Sequence, residues 1–169
     1  MSQVNSPPVG AAFLLSQVGA HAAGSFGQRL SAIGLTSQHV GIIRMMGSNA
    51  GMTQQQLASL FGIFPSRLVA LLDELESMKL VMRRDNPADR RSYLLHLTAA
   101  GRRRLEQVAV ITGQLEDDLF SALRPSELET LATLLLRIVS QQKITPAVHP
   151  AYRDHEARQR AKTTTSKKE

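Results

Sequence analysis

Apolar residues recur at helical spacing from Phe13 and Leu14 through Val18, Ala22 and Phe26 to Leu30, which predicts a helix over about 10–31. Its other face carries Gln, Ser, Gly and Ala rather than charge, so this helix is expected to be buried against another chain. Gly34 closes it, Thr36 opens a second helix bearing Ile42, Ile43 and Met46, and 48–52 (SNAGM) read as a turn. Thr53 caps a short third helix, TQQQLASLF, which Gly62 ends. Pro65 then falls in the first turn of a fourth helix, whose stripe is Leu68, Leu71, Leu72, Leu75 and Met78. The period next changes from helical to alternating. Residues VMRR lead into an Asn-Pro-Ala-Asp turn, after which Tyr93, Leu95 and Leu97 alternate with Ser92, Leu94 and His96, a strand pattern. Thr98 caps a helix from 99 to about 122, and Arg124-Pro125 breaks it. Ser126 is expected to cap the last helix with Glu129 in the reciprocal position; its stripe is Leu128, Leu131, Leu134, Leu135, Ile138 and Val139. Pro146 and Pro150 are expected to end it.

The order is therefore helix, helix, short helix, turn, helix, hairpin, long helix, helix. The fold class this implies is mainly α with a small two- to three-stranded β wing. Residues 36–98 form the winged helix-turn-helix, and 10–31 with 99–143 form flanking helices of one domain, 10–143. Residues 1–9 are polar with two prolines and are expected to be flexible; 144–169 are expected to form a basic, disordered tail.

Composition narrows the chemistry. Trp is absent and aromatics make up 4% of the 169 residues, so the core must rest on Leu, Ile, Val, Met and Ala. With no Cys, a disulfide, a thiolate zinc site or a thiol switch is excluded. No apolar run approaches the roughly 18–20 residues of a membrane span. The segment GAAFLLSQVGA could pass for a signal-peptide core, but no Lys or Arg precedes Arg29, so the chain reads as cytoplasmic. There is no Gly-rich phosphate loop, no GxSxG and no HExxH, so no enzyme and no cofactor is expected. The five His form no pair at metal-ligand spacing, and His149 and His155 fall in the tail.

Charge distribution says more than the net +6. Residues 1–78 have three basic and three acidic residues, whereas 79–104 have eight basic and two acidic, a balance of +6. Residues 105–143 balance at −3 and the tail at +3. A positive field focused on a hairpin beside a helix-turn-helix is the footprint of double-stranded DNA as partner. The second helix of such a motif enters the major groove, and an arginine-bearing hairpin next to it can reach phosphate or the adjacent minor groove. Arg83, Arg84, Arg90 and Arg91 make up that prong, Asn86 and Pro87 set its turn, and Leu95 and Leu97 anchor its base.

The stretch LASLFGIFPSRLVALLDELESMKLVMRRDNPADRRSYLLHLTAAG resembles the winged helix of the MarR family, the multiple-antibiotic-resistance type of bacterial regulator. Asp-Arg-Arg at 89–91 and Leu-Thr-Ala-Ala-Gly at 97–101 carry the resemblance, which extends over roughly 10–143. It implies a homodimer built from the first and last two helices, a pseudo-palindromic operator and a ligand-responsive repressor. It also implies a pocket for a small aromatic or anionic effector between the dimer base and the DNA-binding lobe. By position, Pro65, Ser66, Arg67 and Ala70 would face the groove, with Arg67 the strongest reader. Arg90 and Arg91 would be wing contacts, Asp89 would orient Arg91, and Gln54 and Gln55 would donate to the DNA backbone. His21, His39 and Arg44 are the expected effector residues. Arg102 to Arg104 are expected on a solvated helix face, and Met45 and Met46 in the core. The chain departs from the family where Phe64 replaces a Ser or Thr cap and where Ala70, followed by Glu74, replaces a basic residue. The face 67–70–74 is thereby less basic, which moves weight onto the wing. An architectural or adaptor winged helix is the alternative.

Overall fold

The computed structural model of the chain describes residues 10–144. The expectations for 1–9, for the tail, and for Pro146, Pro150, His149 and His155 lie outside the described residues. The elements are α1 (Ala11–Ser31), α2 (Ser37–Ser48), β1 (Met52–Thr53), α3 (Gln54–Phe61), α4 (Pro65–Ser77), β2 (Val81–Asp85), β3 (Tyr93–Leu97), α5 (Ala99–Leu119) and α6 (Pro125–Gln141). The fold is mainly α with one small antiparallel sheet in the order β1-β3-β2.

Local chemistry accounts for most boundaries. The Thr36 hydroxyl accepts from the His39 amide, the Thr53 hydroxyl from Gln56, and the Thr98 hydroxyl from Gly101. Each satisfies an orphan amide of a first helical turn. Gly62 closes α3 with φ of 63°, a left-handed conformation that glycine adopts at no steric cost. α4 follows with no side-chain cap at Phe64 and with Pro65 as its first residue. At the far end of α4 a paired turn forms: the Lys79 amide donates to Glu76 and the Leu80 amide to Leu75. That geometry requires a left-handed residue, and here it is Lys79 at φ 60°, where glycine is usual.

The structure differs from the pattern-based reading in three places. Residues 48–52 are not wholly a turn, because Met52 and Thr53 pair with Leu95 and Leu94 as β1. Two residues are too few to show alternation, so only the partner strand reveals them. The last helix is capped at Arg124, not at Ser126 with Glu129. Pro125 takes the first helical position, and Glu127 accepts from the Arg124 amide at 2.9 Å and its guanidinium at 2.6 Å. Proline is preorganised for that position, which sets the cap two residues earlier. The Arg124 side chain, then its amide, hold the Glu127 carboxyl below its usual range, and the same contact raises the Arg124 guanidinium. Finally, α5 stops at Leu119, short of 122.

The core sits in the winged lobe, and Leu30 of α1 and Val108 of α5 reach into it. Leu30, Ile42, Ile43, Leu57, Leu68, Leu72, Leu75 and Leu95 are fully buried, with Phe61, Met46 and Val81 around them, and Met45 packs at its edge. On β3 the alternation places Leu95 and Leu97 inward, against Arg83 and Val81 of β2. The Leu-Thr-Ala-Ala-Gly stretch is a junction. The Thr98 hydroxyl donates to the Lys79 carbonyl at 2.7 Å, and Gly101 lies so close to the Leu80 carbonyl that a Cβ would overlap it. This is where α5 leaves the lobe.

Outside the lobe the packing thins. α1 lies along α5, with Arg29 ion-paired to Asp118. α6 contains no buried residue, and Leu136 on it is 65% exposed. On α1, Phe13 is 58% exposed, and Leu14, Leu15 and Val18 are exposed beside it. Among the described residues no single helix is long and apolar enough to cross a membrane.

Candidate nucleic-acid interface

α3 and α4 form the helix-turn-helix, and the β2–β3 hairpin stands directly after it as the wing. The leucine stripe fixes the rotation of α4. With Leu68, Leu71, Leu72 and Leu75 turned into the core, Pro65, Ser66, Val69 and Ala70 are left exposed. Three of the four are the residues expected at the groove. Gln55 is exposed and Gln54 half-buried at the start of α3.

All four charged side chains of α4 are held by the protein itself. Arg67 donates to Gln38 Oε1 at 2.7 Å, and its Nε is buried without a partner. Glu74 meets the buried His39, 2% exposed, at 2.9 Å. His39 Nδ1 accepts the Thr36 amide, so the ring proton lies on Nε2 and is donated to Glu74. Asp73 and Glu76 both grip Arg83 of β2, Asp73 at 2.6 Å. The side chain of Arg83 is only 20% exposed. Arg83, expected among the DNA contacts, is thus a clamp between the wing and α4. Its two carboxylates neutralise it, and it has little surface left for phosphate. Arg67, expected as the strongest reader, is turned toward α2.

The wing is built to present its remaining arginines. Asn86 Oδ1 accepts the Ala88 amide, and Asp89 Oδ1 accepts the Arg91 amide, each at 3.0 Å. These are side-chain turns that mimic backbone turns. Asn86 also donates to Ser92 across the hairpin at 2.9 Å. Asp89 therefore places Arg91 through its backbone rather than its guanidinium. Arg84, Arg90 and Arg91 are exposed, and no described carboxylate pairs with them. Of the next three arginines, Arg102 and Arg104 bond the Leu97 and Ile33 carbonyls, and Arg103 is exposed.

The structure does not bring His21, His39 and Arg44 together. His21 is exposed on α1, His39 faces α4, and Arg44, on another side of α2, donates to Thr112 of α5 at 2.8 Å. His39 is neither exposed nor available, because both ring nitrogens are engaged. A cavity of about 440 Å³ lies instead between α2, β3 and α5. Met46, Leu97 and Leu105 line it with His96, Arg102 and Glu106. Sequence reasoning missed Gln38, Asp73 and Glu76. A visible signal was that Asp73 and Glu76 stand three apart on one helical face, a spacing suited to holding one cation.

A helix-turn-helix followed by an arginine-tipped hairpin defines a winged-helix DNA-binding protein. Residues 33–92 match the MarR family, and the chain belongs to it. A candidate transcriptional regulatory protein for the hcr operon of Thauera aromatica is 32% identical over 114 residues, covering 68% of this chain and 69% of that protein. A mutant MarR from E. coli in complex with operator DNA superimposes with a TM-score of 0.64 at 26% identity, covering 82% of this chain and 99% of that one. The repressor CouR, bound to a 23-mer DNA duplex, gives 0.67 at 28% identity over 76% and 92%. The chain is a transcriptional regulator and not an enzyme.

Proposed function

We propose that the protein is a homodimeric, ligand-responsive repressor, which binds a pseudo-palindromic operator through α4 and the wing. The observation that carries the DNA reading is the preset wing: Arg84, Arg90 and Arg91 point out of a hairpin whose base is clamped to α4 by Arg83. Cations unpaired within the protein are available to phosphates, and releasing condensed counterions supplies the affinity. Dimerisation is supported by the exposed apolar residues of α1 and α6, which a second copy would cover.

The effector is better sought in the cavity between α2, β3 and α5 than at His21, His39 and Arg44. That cavity joins the base to the wing, so a small aromatic or anionic molecule there would bias the spacing of the two lobes. An architectural or adaptor role draws on the outward face of α4, which carries no free cation. Glu74, although bonded to His39, remains exposed on that helix.

The test is binding to the DNA upstream of the gene as salt is raised. A steep loss of affinity is expected, with Arg91→Ala weakening binding by roughly 1–3 kcal/mol and flattening the salt slope by about one unit if its contact is to phosphate. A flat salt response removes the wing from the mechanism. Equal affinity for random DNA supports the architectural role instead.

A further inference from the structure

α4 offers the groove a face with no free cation. Its outward residues are Pro65, Ser66, Val69 and Ala70, with Phe64 exposed just before them and Asp73 and Glu74 exposed one turn further on. The four charged residues of the helix are all committed elsewhere, Arg67 to Gln38, Glu74 to His39, and Asp73 and Glu76 to Arg83. Reading guanine by its O6 and N7 acceptors takes an Arg or Lys, and reading adenine by a bidentate bond takes an Asn or Gln. None of these stands on the outward face. What the face does carry is a Val methyl pair and an Ala methyl, one residue apart and both accessible. In the major groove the apolar feature is the C5-methyl group of thymine.

Building on the reading of α4 as the groove helix, we propose that this protein selects its operator by apolar contact of Val69 and Ala70 with thymine methyl groups. Affinity comes from the wing, and discrimination comes from those methyls. The arrangement is coherent in energy. Burying one methyl is worth about fourfold in binding, so two or three thymines give a graded preference rather than an all-or-none code.

The experiment uses the full chain and a duplex that it selects from a randomised pool. Selected half-sites are expected to carry thymine where α4 lies. Replacing those thymines by uracil, which removes only the methyl, should weaken binding about fourfold per contacted base, while the salt slope stays the same. Val69→Ala, at an exposed position that should leave folding intact, should abolish most of the thymine-over-uracil preference at one of those bases. Uracil duplexes bound as tightly as thymine duplexes, with the salt slope intact, would overturn the proposal and leave the DNA reading standing. So would loss of binding on replacing guanine by 7-deazaguanine, since Arg67 would then have left Gln38 to read a base. Failure to bind any duplex in the pool would overturn both readings at once.

Discussion

The winged lobe and the helical base are built from similar proportions of leucine, yet they are in opposite states. In the lobe, Leu68, Leu72 and Leu75 of α4 are fully buried by α2, α3 and the sheet. In the base, α6 carries a leucine stripe just as regular, yet Leu134 is exposed and Leu128, Leu131 and Leu135 are only half-buried. Periodicity is the same in both, and only the availability of a partner differs. A stripe is a request for a surface, and among the described residues the lobe supplies it while the base does not. The lobe is thus a finished unit, and the base is left with an exposed apolar face.

That contrast can be broken most decisively in the core. Leu72→Ala should destabilise the fold by about 2–5 kcal/mol, read from denaturant unfolding, because it leaves a cavity in a close-packed interior. Leu136→Ala should change unfolding little at concentrations where the protein is monomeric; a large loss there would mean that α6 is covered from within its own chain. At higher concentration the base is the sensitive part. Leu136→Glu should weaken self-association at least tenfold in sedimentation, equivalent to about 1.4 kcal/mol, with the lobe's circular dichroism unchanged. Dimers of undiminished affinity would place the contact elsewhere. A smaller effect of opposite sign is expected at the lobe's own imperfection. Lys79 holds a left-handed conformation at φ 60°, and Lys79→Gly should raise stability by up to about 1 kcal/mol in thermal unfolding.

The smallest effect belongs to the end of the base. Glu127 has its carboxyl lowered by the Arg124 side chain and amide, so the cap contributes above the ordinary glutamate range and is lost as pH falls through the lowered value. Acidification below that range should fray the first turn of α6 before the lobe unfolds. Glu127→Gln should remove this acid response, measured by amide exchange of residues in that turn. An unchanged response would locate it in other carboxylates.

Much of this molecule was legible in its residues. The caps at Thr36, Thr53 and Thr98, the breaks at Gly62 and Pro65, and the change from helical to alternating period all act within a few positions of chain. They therefore specify element type and order without reference to anything distant. The same is true of the wing tip, where Asn86 and Asp89 bond amides two residues on. Charge focusing on 79–104 pointed to a polyanion for the same reason, since it is a property of linear sequence.

What the tertiary structure decided is which of the charges remain available. Arg83 and Arg84 are adjacent and equivalent in sequence, but strand pleat sends one toward Asp73 and Glu76 and leaves the other exposed. Arg67 and Glu74 both lie on α4, yet Gln38 and His39, some thirty residues earlier, claim them both. His39, expected to meet an effector, is instead buried against α4. β1 exists only because β3 lies beside Met52 and Thr53. Short-range bonding is written in neighbouring residues, whereas the pairing of distant charges depends on how the helices and sheet come to rest against one another.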